Sequence, residues 1–404
     1  MKTAHSKSSC LRNLGRLPFN FIAMLAATAL LPALAAAAGA AGEASSVESR
    51  LAALERQVEG LRAENSVLRE RLGAGGEKNQ PISVRPEGRE TRISLGGLMQ
   101  VQGEAGGAPD ARYVGLSDRF LLRRMRVAVA GAFAEHMAFK FETDFGNASI
   151  SNRAGASGQI TDASITWTRY PALNLRTGQF KTPFGFEQLV SDPKTLFIER
   201  TLSNDRLTVG RQIGALACGE LLGPALSYSV GAFNGSGTNN GGNDNGKYLT
   251  AGRLVSTICS ASGGARAVRW TAAGNFFNTV DRGSFTGRRT GYGADSQFSW
   301  GPAQVGAEWL RNENHPVVGL PIEADGWYLY GTWLFSPRWQ AVARYEAYDS
   351  NLATARTTTR EWTLGFNYYL KGDDLKLALN YQLGRPPVPA PQAGRLLGRM
   401  QVTF

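Results

Sequence analysis

Residues 395–404 read Arg-Leu-Leu-Gly-Arg-Met-Gln-Val-Thr-Phe. Leu396, Met400, Val402 and Phe404 share one phase, with Gly398 between them, while Arg399, Gln401 and Thr403 occupy the other. A strand turns alternate side chains to opposite faces. The decamer is therefore apolar on one side and polar on the other, over the length a tilted strand needs to cross a bilayer. A soluble sheet edge could carry the same ten residues, so the decision rests on the remainder of the chain.

At the other end, Lys2, Lys7, Arg12 and Arg16 precede an apolar run from Leu17 to about Leu34, followed by an Ala-rich stretch with several A-x-A choices. This is the order of a secretory signal peptide, and Pro18 and Pro32 bracket a core too short for an anchor helix. Cleavage is expected between Ala35 and Ala41, which sets residues 1–41 apart. Loss of the four leader cations lowers the formal charge from +11 to about +7, so the exported chain stays basic. Only Cys218 and Cys259 remain after cleavage, and their spacing alone does not establish a disulfide.

Val47, Leu51, Leu54, Val58, Leu61, Asn65, Leu68 and Leu72 step alternately by four and three, the spacing of a supercoiled helix with a charged outer face of Glu and Arg. A coiled coil is expected over 43–72, with Asn65 at an a position, and it implies an oligomer. The alternative is an amphipathic helix lying on another domain. Gly73, Gly75 and Gly76 end the pattern, and a polar linker is expected over 73–91.

From Arg92 onward, alternating segments recur between turn residues. Sixteen strands are expected, near 92–102, 119–133, 136–146, 160–169, 173–181, 211–219, 225–233, 248–257, 265–277, 289–300, 303–311, 326–335, 338–347, 360–370, 374–383 and 395–404. Long connections, such as 103–118, 234–247 and 312–325, alternate with short ones such as Gly301-Pro302 and Ser336-Pro337. That asymmetry suits a barrel with one rim outside and one in the periplasm, and a soluble sandwich has no reason to keep it. No later stretch reaches the roughly 18 apolar residues of a membrane helix, so a spanning protein must be a closed barrel. The fold class is all-β: a sixteen-stranded antiparallel transmembrane barrel over 92–404, preceded by a short periplasmic coiled coil.

The connection 182–210 is the longest, and a loop of that length is usually functional. Around it stand Gly178-Gln179-Phe180-Lys181-Thr182-Pro183-Phe184-Gly185-Phe186-Glu187, then Phe197-Ile198-Glu199-Arg200 and Gly210-Arg211-Gln212-Ile213-Gly214. Together with Phe233-Asn234-Gly235 and Gly365-Phe366-Asn367-Tyr368-Tyr369, these resemble the phosphate-selective porin O/P family over roughly 90–404. A terminal aromatic residue on the last strand also resembles the assembly signature of bacterial outer-membrane proteins. The resemblance implies a homotrimer of sixteen-stranded porins whose third loop enters the lumen, with basic side chains along an anion path.

The loop's own bases, Lys181, Lys194, Arg200, Arg206 and Arg211, nearly balance the acids Glu187, Asp192, Glu199 and Asp205. Strand phase adds Arg124, Arg126, Lys140, Arg253, Arg269 and Arg344 as inward-facing, since Arg or Lys at mid-bilayer on the lipid face costs about 2 to 4 kcal/mol. Each of these could contact ions or brace the wall by pairing with Glu142, Asp144, Asp162 or Glu346. The expected function is an outer-membrane channel for passive uptake of phosphate or other small anions, with a non-specific diffusion porin as the alternative. The expected partners are a second and third copy, outer-membrane lipid and small inorganic anions. A barrel hydrolase would need a Ser and His pair at the rim, and His136 and His315 lie near no nucleophile motif. An envelope tether would not need so wide a barrel. No phosphate loop, zinc-spaced Cys/His set or nucleic-acid module occurs, so neither cofactor, metal nor nucleic acid is expected.

Overall fold

The computed structural model describes residues 82–84, 92–146, 158–261, 267–282, 286–387 and 390–404. The leader, the heptads of 43–72 and most of the linker lie outside the described residues. Within the expected linker there is nevertheless a short strand, β1 (Ile82–Val84), paired antiparallel with β2 through Ser83 opposite Ser94.

The barrel runs β2 (Arg92–Gly106), β3 (Arg119–Phe133), β4 (Met137–Asp144), β5 (Gln159–Tyr170), β6 (Leu173–Lys181) and β7 (Arg211–Glu220). It continues with β8 (Leu226–Phe233), β9 (Leu249–Ala261), β10 (Val268–Asp281), β11 (Gly287–Trp300) and β12 (Ala303–Pro316). The last five are β13 (Ile322–Leu334), β14 (Trp339–Asp349), β15 (Thr358–Lys371), β16 (Leu375–Arg385) and β17 (Ala393–Thr403). Each pairs antiparallel with its neighbour in sequence, and β17 closes on β2, with Arg399 opposite Gln102. Closure satisfies every backbone edge that hydrocarbon would otherwise leave unpaired.

The two faces differ as the alternation requires. On β15, Trp362, Leu364 and Phe366 are exposed, while Glu361, Thr363 and Asn367 are buried inside. Outward aromatics gather in two bands: Trp327, Tyr345 and Trp362 in one, with ring centroids 5.5 and 4.8 Å apart, and Trp339 against Tyr368 at 4.5 Å in the other. Such bands mark the two interfaces of a membrane barrel. At the seam, Phe404 exchanges backbone hydrogen bonds with Gly97, and its ring lies where any Cβ at Gly97 would stand, 2.3 Å from Cζ. Only glycine leaves that room.

Two departures from the expected pattern bear on the lumen. The connection read as 312–325 is only 317–321, because β12 and β13 extend their ladder to Asn314 opposite Ile322, with Arg311 paired to Glu323. A bulge between Gln100 and Val101 sets Gln100 opposite Arg124 and Val101 opposite Leu122, and Arg123 and Arg124 are both buried inside.

Candidate functional site in the lumen

The loop 182–210 leaves β6 at a neck where the Thr182 amide and hydroxyl both donate to Gly210 O, at 3.0 and 2.9 Å. Phe184, fully buried, then meets Phe277 edge-on at 4.7 Å, and Gly185 takes a φ of 82° to start a one-turn helix, α1 (Phe186–Leu189). The Glu308 carboxylate accepts from the amides of Phe186 and Glu187, at 2.5 and 3.2 Å. After a 3-10 turn over Asp192–Lys194, an extended run leads to α2 (Leu202–Leu207), capped by the Thr201 hydroxyl, which accepts from the Asn204 amide.

The extended run crosses to the far wall. Ile198 N donates to Asn380 Oδ1 at 2.7 Å, Asn367 Nδ2 donates to Leu196 O at 2.8 Å, and Leu202 N donates to Glu346 at 3.0 Å. Lys376 Nζ donates to the carbonyls of Pro193 and Thr195. Phe197 packs with Tyr328, Tyr330 and Val342. Glu199 is bound by Arg123 from β3 and Arg399 from β17, both at 2.9 Å, and Gln102 adds a hydrogen bond. Burial would raise this carboxyl, but Arg123 and Arg399 outweigh it and hold it far below the ordinary range.

The first long loop, after β2, also turns inward. Tyr113, 1 % exposed, packs on Ile198 and Leu397, and Arg112 links Asp110 to the Arg200 carbonyl and to Asp205. Burial acts to raise the Asp110 carboxyl, and the adjacent Arg112 more than reverses it.

Between the loop and a wall made by the end of β17 and by β2 to β7 lies a cavity of about 620 Å³. Its charged lining is Arg126, Lys140, Arg176, Lys181 and Arg211 against Glu142, Asp162 and Asp192. Five cations therefore face three carboxylates.

The cations named from sequence fall into three groups. Arg126, Lys140, Lys181 and Arg211 line this cavity: Arg126 pairs with Asp144 and Asp192, Lys140 and Arg211 with Asp162, and Lys181 donates to Val190 O at 2.8 Å. Arg124, Arg200, Arg253 and Arg344 are not in its lining but are paired: Arg124 and Arg200 with the cavity's Asp192, Arg253 with Asp295, and Arg344 with Glu187 and Glu346. Lys194, Arg206 and Arg269 are exposed and have no ion pair among the described residues. Cys218 and Cys259 form no disulfide with each other.

Other cations also face the lumen. Arg399 does so as its polar phase in 395–404 implies, and Arg176, whose guanidinium stacks over Phe180 at 4.5 Å, is legible from strand phase in the same way. Arg123 is not, because strict alternation turns it outward and only the bulge turns it in. No cluster of His, Cys, Asp or Glu fit to hold a metal occurs among the described residues, nor does a helix long and apolar enough to cross a membrane.

The profile of the family described as phosphate-selective porin O and P matches residues 99–386. The chain belongs to that family. Among solved structures, the anion-selective porin from Comamonas acidovorans superposes with a TM-score of 0.60 at 13% identity, covering 78% of this chain and 100% of that one. The outer-membrane channel DcaP of Acinetobacter baumannii gives 0.59 at 14% identity, over 80% and 99%. The trimer form of OmpT from Vibrio cholerae gives 0.54 at 11%, over 77% and 99%. At such identities these porins share the fold. No curated protein matches the chain closely enough to count as a relative.

Proposed function

We propose that this outer-membrane porin is an anion-selective, water-filled channel for passive uptake of small inorganic anions, phosphate among them. The observation that carries the reading is the cavity beside the third loop, where five cations face three carboxylates. A narrow passage with a positive balance concentrates counter-ions and excludes cations. The ion path is assigned to Arg126, Lys140, Arg176, Lys181 and Arg211, with exposed Lys194, Arg206 and Arg269 as entry or exit charges. Arg124, Arg200, Arg253 and Arg344 brace the wall and the loop. The anion selectivity named for the Comamonas porin agrees with this reading.

Assembly as a homotrimer is proposed with it, supported by the trimer form of OmpT and by the heptads of 43–72. Export by the leader 1–41 belongs to the same proposal. A broader diffusion porin with mild anion preference is the second reading, favoured by how many of the cations already hold carboxylate partners. Planar-bilayer recording on the purified protein separates them. A reversal potential of anionic sign in a chloride gradient supports selectivity, and block of chloride current by phosphate supports phosphate preference. A cationic reversal potential overturns the proposal.

A further inference from the structure

Asp192 sits in the 3-10 turn of the third loop and is 3% exposed. Three guanidinium groups close on its carboxylate. Arg126 Nη1 donates to Oδ2 at 2.5 Å, while Arg124 Nη2 and Arg200 Nη2 stand 3.1 and 2.9 Å from Oδ1. Lys181, on the last residue of β6, acts on the same group. Two of the guanidiniums come from one strand of the wall and the third from the loop itself, so the cradle bridges wall and loop. Arg124 is further fixed by Gln100, and Arg126 by Asp144 at 2.7 Å. The cradle is thus held by partners other than the carboxylate that fills it.

Guanidinium groups present paired N–H donors whose spacing suits carboxylate and phosphate alike. A convergence of three on one buried point is the arrangement that would hold a tetrahedral oxyanion, and here a loop carboxylate occupies it. A tethered group is present at high effective concentration, so it outcompetes free anions at millimolar levels. Conduction also demands that an ion bind weakly enough to leave.

We infer that Asp192 is a specificity-determining residue, a built-in anion that fills a three-guanidinium oxyanion site and keeps the channel from retaining phosphate-class ions. The inference rests on the proposed anion passage. Asp192 makes the difference between a pore that holds an oxyanion and one that lets it through. Burial acts to raise the Asp192 carboxyl, but Arg124, Arg200 and Arg126 prevail and keep it charged well below the ordinary range, as a standing anion must be.

The test is Asp192→Asn, which keeps the side-chain shape and removes the charge. In planar bilayers, inorganic phosphate should block chloride current through this variant at concentrations at least about tenfold lower than in the wild type, since hydrogen bonds to charged groups are worth that much. The melting temperature of the variant should rise with added phosphate or sulfate, and that of the wild type should not. Adding Arg124→Gln to the variant dismantles the cradle and should abolish both gains. A folded Asp192→Asn protein with unchanged phosphate block and no anion-dependent melting shift overturns the inference. So does a double variant that keeps the gains. If Asp192→Asn refolds poorly in chloride, recovery of the barrel in phosphate supports the inference, and equal failure in both overturns it. The wild-type reversal potential, measured in the same bilayers, tests the anion reading separately: an anionic value with no gain in the variant rejects only the role of Asp192.

Discussion

The third loop touches two walls of the barrel by different chemistry. Against β12 to β16 it makes a packed seat: Phe197 on Tyr328 and Tyr330, Leu202 and Leu207 fully buried, and hydrogen bonds with Asn380, Asn367, Asn312, Glu308, Glu346 and Lys376. Against β3 to β7 it presents charge across a wet cavity, with Asp192 reaching to Arg124 and Arg126. Burying one large apolar side chain is worth roughly 1.5 to 3 kcal/mol. Ion pairs that must be desolvated return far less, because the cost of stripping water offsets most of the Coulomb gain. The seat therefore fixes the loop, and the charged side sets what passes.

Replacing 187–207 with a short Gly-Ser link should break the comparison most completely, removing seat and charged face at once. Unitary conductance should rise several-fold and selectivity should relax; an unchanged conductance would mean that other segments set the narrowest point. Next in size, Phe197→Ala should cost about 3 kcal/mol as a buried aromatic truncation. Its signature is a lower melting temperature of the folded barrel together with noisy, flickering current as the loop loosens. Acid acts on the charged anchors. Asp192 and Glu199 have ordinary values of 3.8 and 4.5 and are held lower in the folded protein. Their contribution is thus complete above those ordinary values, and is lost as pH falls below about 4 toward the folded values. Conductance should stay constant down to about pH 5 and become unsteady near pH 3. Lys194→Gln should lower anion preference modestly, with the effect vanishing at about 1 M salt, where screening falls to about 3 Å. Smallest of all, Arg206→Gln should leave stability within about 0.5 kcal/mol, since its side chain is exposed and without an ion pair among the described residues.

Strand number, order and inside-out phase were readable because each depends on a period of two and on nearby turns. Leu396 and Met400 against Arg399 and Gln401 suffice to orient β17, and the structure keeps that assignment. What could not be read is pairing across the lumen. Asp192 meets Arg124 and Arg126 over more than sixty residues of chain, and Glu199 meets Arg399 over two hundred. No local pattern encodes such encounters, because closure of the barrel creates them. The bulge that turns Arg123 inward was equally silent, and so was the inward fold of the first loop around Tyr113. The loop's position was legible, whereas the use of its charges was not.

Glu199 is clasped by Arg123 on β3 and by Arg399 on β17, the two strands that flank β2 once the seam is closed. Neither side is complete until strands nearly three hundred residues apart have met, and contacts of such separation form slowly. This clasp on Glu199 thus cannot exist before the wall is shut. That clasp is therefore a signature of closure, made only in a barrel whose first and last strands have joined.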